Sequence, residues 1–191
     1  AAVDALAVGG KADLPRVLSA LSDPDPDVRV RVAEALGRIA TPEANAALIR
    51  ALDDPVSEVR QTAARALGFP GNAGAVPALA ARLSDPDGRV ATACADTLAG
   101  IGFAARDALV KALSGPDTVA YLAASALARQ GAEAVEQVVQ AASSDPRSGK
   151  WATYSLANNR SQEALEGLRR LASAADPVTR ESASAALRRL S

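Results

Sequence analysis

The sequence predicts an all-α protein built from about six copies of a two-helix unit. Asp-Pro steps recur along the 191 residues at intervals of 30 or 31 positions, with one Gly-Pro step in the same series. The steps are Asp23-Pro24, Asp54-Pro55, Asp85-Pro86, Gly115-Pro116, Asp145-Pro146 and Asp176-Pro177. Such a period is typical of one supersecondary unit copied end to end. Alanine, the strongest helix former, is abundant, and no alternating Val, Ile or Thr runs predict strands.

Each unit consists of a short first helix, the Asp-Pro step and a longer second helix. In the second unit, Val59, Ala63 and Leu67 recur at helical spacing and predict the buried stripe of the second helix. We expect Asp54 to cap this helix by accepting backbone N–H groups. Pro55 would then take the first helical position, where no amide hydrogen is needed.

Aligning one leucine of each second helix divides the chain into six helix pairs. The leucines are Leu36, Leu67, Leu98, Leu127, Leu156 and Leu187. The predicted pairs span residues 13–39, 41–69, 72–101, 103–130, 132–158 and 161–191. Residues 1–10 are expected to be the remnant of an earlier repeat or a short cap, since terminal repeats are often atypical. We predict that residues 1–191 form a single array.

The second unit carries a recognisable motif, Asp-Pro followed by Val-Arg, Ala-Ala and Ala-Leu-Gly, and then Ala-Val-Pro-Ala-Leu. Its residues are Asp54, Pro55, Val59, Arg60, Ala63, Ala64, Ala66, Leu67 and Gly68, then Val76, Pro77, Ala78, Leu79 and Leu83. This motif resembles the HEAT repeat, and more narrowly the HEAT-like repeat of phycobilisome lyase subunits and many bacterial scaffold proteins. The resemblance implies a right-handed α-solenoid, an α-α superhelix whose second helices line the concave surface. A fold by itself implies no activity.

The resemblance also implies a ladder of bonds between the turn aspartate and the arginine that follows the valine. Arg29, Arg60 and Arg180 keep this arginine. The third, fourth and fifth units instead carry Ala91, Ala120 and Gly149 at the aligned position. We therefore predict an interrupted ladder in the middle of the chain, caused either by drift in a tolerant repeat or by a functional bend.

Composition argues against several classes of function. The formal net charge of −1 lacks the basic excess of a general nucleic-acid binder. The sequence has no histidine that could form a Cys-His nucleophile with Cys94. Cys94 aligns with Ala63, a position that we expect to be buried. We expect no cofactor and no metal. No apolar run approaches the length of a membrane span. A single cysteine suits a reducing compartment, so we expect the cytoplasm.

The candidate binding residues lie in the second helices of the fourth and fifth units, where three of the five aromatic residues occur. In HEAT arrays, two positions one turn apart face inward from each second helix. This assigns Trp151 and Tyr154 to the inner surface, with Tyr121 one residue before the same register. Trp and Tyr are favoured anchors in protein interfaces. Arg147 and Lys150 lie beside them and could add charge complementarity.

Trp151 and several charged residues have alternative interpretations. Trp151 could instead pack between repeats, in space left by Ser148 and Gly149. The pairs Arg169-Arg170 and Arg188-Arg189 could contact acidic partners or phosphates, although basic residues also suit helix C-termini. We interpret Arg31, Glu34, Arg38, Arg65 and Asp96 as a solvated charged face, because exposed ion pairs are common and individually weak.

The leading functional hypothesis is a non-catalytic scaffold that holds a protein partner on its concave surface. One alternative, implied by the resemblance, is a subunit of a bilin lyase-like enzyme. Another is a nucleic-acid-binding domain similar to the HEAT-like DNA glycosylases, which the near-neutral charge disfavours.

Overall fold

The structure, a computed structural model, describes residues 14–190 as helices joined by short turns, with no strand in that range. In chain order the α-helices are α1 (Leu14–Ser19), α2 (Pro26–Ile39), α3 (Pro42–Ala51), α4 (Ser57–Ala66), α5 (Val76–Ala81), α6 (Gly88–Ile101), α7 (Arg106–Ala112), α8 (Asp117–Arg129), α9 (Val135–Ser144), α10 (Pro146–Asn159), α11 (Gln162–Leu171) and α12 (Pro177–Leu190). Short 3₁₀ segments occupy Ala20–Ser22, Ala73–Ala75, Arg82–Ser84, Gly102–Ala105 and Gly131–Ala134. Odd-numbered helices are the first helices of hairpins and even-numbered helices are the second.

The predicted all-α fold and the six hairpins are confirmed over the described range. The remnant or cap predicted within residues 1–10 lies outside it. The chain divides into two compact units, one ending at Thr97 and the other beginning at Leu98. The single continuous array therefore stays a prediction. None of the helices described has the length and apolar character that crossing a membrane requires.

Leucine and alanine form the core of both units. The largest fully buried side chains are Leu36, Leu48, Leu52, Leu67, Leu79, Leu83, Leu98, Leu109, Leu113, Leu127, Leu156 and Leu168. Full burial of such a side chain contributes about 1.5–3 kcal/mol. Alanine and glycine let the helices approach closely: a Cβ added at Gly37 on α2 would lie 2.8 Å from the Cβ of Ala66 on α4.

The predicted role of the Asp-Pro step holds in the last two units. Asp145 is the N-cap of α10 and accepts the N–H of Arg147 at 3.0 Å, with Pro146 opening the helix. Pro177 likewise opens α12, and Asp176 accepts the N–H of Thr179 at 2.7 Å. Both steps therefore combine a carboxylate cap with proline at the helix start.

The same prediction is wrong for Asp54-Pro55. Asp54 accepts the N–H of Val56 at 2.9 Å, and α4 begins only at Ser57. Five positions separate Asp54 from the buried Val59, whereas the corresponding spacing is three in the last two units. The two extra residues allow an aspartate turn before the helix. Asp23 and Asp85 follow the same pattern, each accepting an N–H two residues on.

The arginine ladder forms in the first compact unit, which ends at Thr97. Arg29 donates from Nε and Nη2 to Asp54 at 2.8 and 2.9 Å. Arg60 donates in the same way to Asp85 at 2.9 and 2.8 Å. In both arginines Nη1 also donates to backbone carbonyls of the preceding turn. Each arginine thus connects one hairpin to the next, with its charge paired and with a hydrogen bond from each of its three nitrogens.

The ladder is interrupted where the sequence predicts it. Ala91, Ala120 and Gly149 stand buried at the arginine position. In the second compact unit, the buried Arg106 instead donates to Gln130 and to Glu133, both at 3.2 Å. These bonds link the start of α7 to the turn after α8, so another arginine connects secondary elements there.

The Arg60–Asp85 pair is expected to contribute strongly to stability. Asp85→Asn leaves the largely buried Arg60 without its counter-ion, and breaking a buried pair from one side costs about 3–5 kcal/mol. We expect the free energy of unfolding, measured by urea titration, to fall by this order. Asp27→Asn, at an exposed position, should change it by less than about 0.5 kcal/mol. Equal effects of the two variants would contradict this role.

The same pair sets a dependence on pH. The hydrogen bond from Arg60 holds the pKa of Asp85 below its ordinary value of 3.8. A depressed folded-state pKa means that this stabilisation is fully present above about pH 4 and is lost as the pH falls through the folded pKa. Asp85→Asn should therefore make the acid limb of stability shallower than in the wild-type protein. Urea titrations at successive acid pH values test this, and an unchanged slope would contradict it.

Candidate partner-binding site

Three aromatic rings from two second helices form a single cluster in the unit that begins at Leu98. Tyr121 extends from α8, and Trp151 and Tyr154 extend from α10. Ring centroids lie 5.9 Å apart for Tyr121–Trp151, 5.4 Å for Tyr121–Tyr154 and 6.0 Å for Trp151–Tyr154. The planes are tilted or edge-on, as aromatic quadrupoles prefer. Tyr121, Trp151 and Tyr154 are called the aromatic cluster below.

The aromatic cluster is partly open to solvent. Tyr121 is 44% exposed, while Trp151 and Tyr154 are half-buried. A hydrogen bond with Tyr121 and partial burial raise the pKa of the Tyr154 phenol. The rings thus support one another and leave an apolar surface accessible.

Asp117 and Lys150 surround the indole ring. Trp151 donates from Nε1 to an Asp117 oxygen at 3.0 Å. Lys150 Nζ lies 3.4 Å from the other Asp117 oxygen and 4.3 Å from the Trp151 ring centroid. This is a cation–π arrangement. The indole hydrogen bond and the Lys150 charge together hold the pKa of Asp117 below its ordinary value. Sequence reasoning placed Lys150 beside Trp151 but did not identify Asp117, which is 34 positions away.

Arg147 is engaged locally. Its guanidinium donates to both carboxylate oxygens of Asp145, at 3.1 and 2.9 Å. The guanidinium is exposed, but its charge is already paired at the N-cap of α10. Its membership in a binding surface stays a prediction, and its observed contacts belong to the start of the helix.

The start of α10 is held by a close approach to α12. Thr179 occupies the space beside Gly149, and its Cβ would lie 2.9 Å from a Cβ added there. Thr179 is fully buried and donates from its hydroxyl to Asp176 at 2.7 Å. The space left by Gly149 is therefore filled by Thr179, and the proposed packing of Trp151 into it is wrong. The indole ring lies with the tyrosines instead.

A groove of about 600 Å³ runs between α10 and α12 and is called the α10/α12 groove. Its lining residues are Lys150, Trp151, Thr153, Tyr154, Ala157, Asn158, Arg160, Ser182, Ala185, Ala186, Arg189 and Leu190. Two of the aromatic rings form part of one wall. Arg189 belongs to a basic pair that the sequence singles out. Arg160 was missed, because it lies after the predicted helix end and no motif marks it.

The charged face predicted in the first three units has mixed signs. Arg31, Glu34, Arg38, Arg65 and Asp96 all lie at exposed positions. A groove of about 570 Å³ has Glu34 in its lining together with Arg38 and Arg65.

Cys94 is fully buried, and burial raises the pKa of its thiol to about 12. Because the thiolate is the reactive form, Cys94 is a packing residue in this environment.

Comparison with known proteins supports the fold. Residues 14–99 match the family described as HEAT repeats, which confirms the resemblance for that part of the chain. A crystal structure of an engineered protein is 26% identical, with a TM-score of 0.53, and the match covers 92% of this chain and 95% of that one. No curated protein gives a match in sequence.

A second solved structure is similar in fold. The complex of CpcE and CpcF of phycocyanin lyase from Nostoc sp. PCC7120 gives a TM-score of 0.51 at 24% identity, covering 97% of this chain and 85% of that chain. At this identity the likeness establishes a shared helical-repeat fold.

Gly149 is predicted to be required for the seating of α10. Gly149→Ala would place a methyl group against Thr179, and overpacking of this kind costs about 1–3 kcal/mol. Thermal unfolding should show the loss, and adding Thr179→Ala should recover part of it. Gly100→Ala, in a helix with nothing within 4 Å of the new Cβ, should be neutral or stabilising. Full additivity of the two substitutions at 149 and 179 would contradict direct contact.

Trp151 provides an optical test of the Asp117 contact, since it is the only tryptophan. Protonation of Asp117 removes the charge that accepts the indole N–H bond. We expect the emission of Trp151 to change as the pH falls, with a midpoint below the ordinary aspartate pKa of 3.8. Asp117→Asn should abolish this transition, and Asp107→Asn should retain it. Circular dichroism must show an intact fold throughout, and a transition that persists in Asp117→Asn would refute the assignment.

Proposed function

We propose that this protein is a non-catalytic scaffold that binds a segment of a partner protein. The match of residues 14–99 to HEAT repeats is the starting point for this proposal. The contact would be centred on the second-helix face of α8, α10 and α12. The observation that carries this proposal is the convergence of Tyr121, Trp151 and Tyr154 on one partly exposed surface.

The three rings lie outside the fully buried core. Its largest fully buried side chains are leucines, and each of the five aromatic residues is exposed or half-buried. Trp and Tyr carry a large share of the energy at protein interfaces, because they bury much area and keep a polar handle. A cluster of three rings outside a leucine core is therefore better explained by binding than by folding.

A binding role also fits the chemistry of the described residues. In residues 14–190, no group of three or more His, Cys, Asp or Glu side chains is arranged to hold a metal ion. Cys94 is buried in its protonated form. The lyase-subunit alternative has support only from fold, and the nucleic-acid alternative has support only from the resemblance. The cysteine content keeps a reducing compartment, such as the cytoplasm, as our expectation.

The test is selection of a random twelve-residue peptide library on the immobilised protein, followed by calorimetry on the enriched peptides. Truncating Trp151 and Tyr154 together to alanine should weaken binding by about 2 kcal/mol or more, as expected for interface hot spots. Phe103→Ala is the matched control, because Phe103 is an exposed aromatic residue that is 75% accessible and lies outside the aromatic cluster.

The two variants separate a binding role from a structural one. Phe103→Ala should bind as the wild-type protein does, and both variants should retain the wild-type helical content and melting temperature within a few degrees. Enriched peptides that bind the folded double variant at wild-type affinity would exclude the aromatic cluster as the contact centre.

A further inference from the structure

We propose that the α10/α12 groove binds an extended, acidic segment of the partner. In this arrangement carboxylates of the segment pair with Arg160 and Arg189, while an apolar or aromatic side chain lies against Trp151 and Tyr154. The inference rests on the proposed scaffold function and specifies the chemistry of the partner.

The walls of the groove are unequal, and this leaves room for a side chain. The α10 wall presents Trp151 and Tyr154. The α12 wall presents Ser182, Ala185 and Ala186, whose short side chains leave the facing space open. A volume of about 600 Å³ lies within the range of about 300–1,000 Å³ that is usual for ligand pockets. An inserted apolar side chain would contact ring faces on one side and methyl groups on the other.

The charges of the groove have one sign. Lys150, Arg160 and Arg189 line it, and among residues 14–190 no carboxylate does. Lys150 is already paired with Asp117. Arg160 and Arg189 are exposed and have no ion-pair partner among residues 14–190. These two guanidinium groups are available to a ligand, and arginine is well suited to bidentate pairing with carboxylates.

A groove elsewhere in the chain shows that a purely basic lining is not a general property of the repeat. The groove of about 480 Å³ that includes Arg65 and Arg89 also includes Asp87 and Asp96. Its positive charges therefore have acidic neighbours, and Arg89 is bound directly to Asp87 at 2.8 Å. The stacked helices create grooves repeatedly, but a purely basic lining belongs to the α10/α12 groove in this comparison.

The positions along α10 predict the spacing of the ligand motif. Trp151 and Arg160 are nine residues apart, which corresponds to about 14 Å along a helix. Arg189 lies in the last turn of α12, and Arg160 directly follows α10. An extended chain rises about 3.3 Å per residue, so about four positions should separate the apolar anchor from the acidic residues. The expected ligand is thus a short segment with an apolar residue and one or two Asp or Glu residues about four positions away.

The experiment uses the peptides enriched from the twelve-residue library on the wild-type chain, each resynthesised with a fluorescent label. We expect an apolar or aromatic residue with acidic residues about four positions away, and binding that weakens as salt is added. The double variant Arg160→Gln with Arg189→Gln should lose about tenfold or more in affinity. Arg169→Gln with Lys111→Gln, at exposed positions outside the groove, is the charge-matched control and should lose less than about twofold.

A filling variant tests the groove without altering its charge. Ala185→Phe should occupy the space beside Trp151 and Tyr154 and reduce affinity by about tenfold, while Ala132→Phe, at an exposed position outside the groove, should not. Thermal unfolding of both variants establishes that the fold is retained.

The possible outcomes distinguish this inference from the scaffold proposal. Peptides that depend on Trp151 and Tyr154 but show no acidic preference, and that ignore the arginine substitutions, would overturn the acidic-segment inference and leave the scaffold standing. Failure to enrich any peptide would overturn both. A twelve-nucleotide oligothymidylate that displaces the enriched peptides at equal concentration would overturn the inference in favour of a single-stranded nucleic acid.

Discussion

A helical hairpin with one apolar stripe cannot bury that stripe alone, and this constraint governs the rest of the structure. Within each compact unit, second helices of successive hairpins pack on one another, as α2 does on α4 and α10 does on α8 and α12. Small residues permit the close approach, and leucines fill the space between the layers. One consequence is functional: helices that lie side by side leave grooves between them, and side chains from successive repeats share one surface.

Two different devices hold successive hairpins together in the two compact units. In the first, Arg29 and Arg60 bond to the aspartate of the next turn, so the arginine position is filled by a charged side chain whose three nitrogens all donate hydrogen bonds. In the second, Gly149 occupies that position and receives Thr179 in direct contact. The first device depends on charge and on pH, whereas the second depends on shape.

The change of device coincides with the region that carries the candidate site. A short, uncharged slot at Gly149 brings α12 close to the start of α10, and the residues that follow on α10 are Lys150 and Trp151. The drift that the sequence suggests at this position is therefore accompanied by a specific complementary contact. Interruption of the ladder at Gly149 is therefore not accompanied by a loss of packing at that position.

The sequence alone determined the repeat, the six hairpins, the buried leucines and the interrupted ladder, because these follow from local periodicity and from residues copied at one fixed interval. It also placed Trp151 and Tyr154 on one face, since positions three apart on a helix are neighbours. The sequence-based prediction was wrong at Asp54-Pro55, where two extra residues form a turn in place of a helix cap. The sequence also did not decide whether Trp151 packs between repeats or binds a partner.

Only the tertiary structure decided which side chains meet. Asp117 reaches the indole across 34 positions, Thr179 fills the space at Gly149, and Arg160 and Arg189 line the same groove. Each of these contacts depends on the way in which one helix packs against the next. This packing is determined by shape complementarity over many side chains, which no local pattern in the sequence encodes.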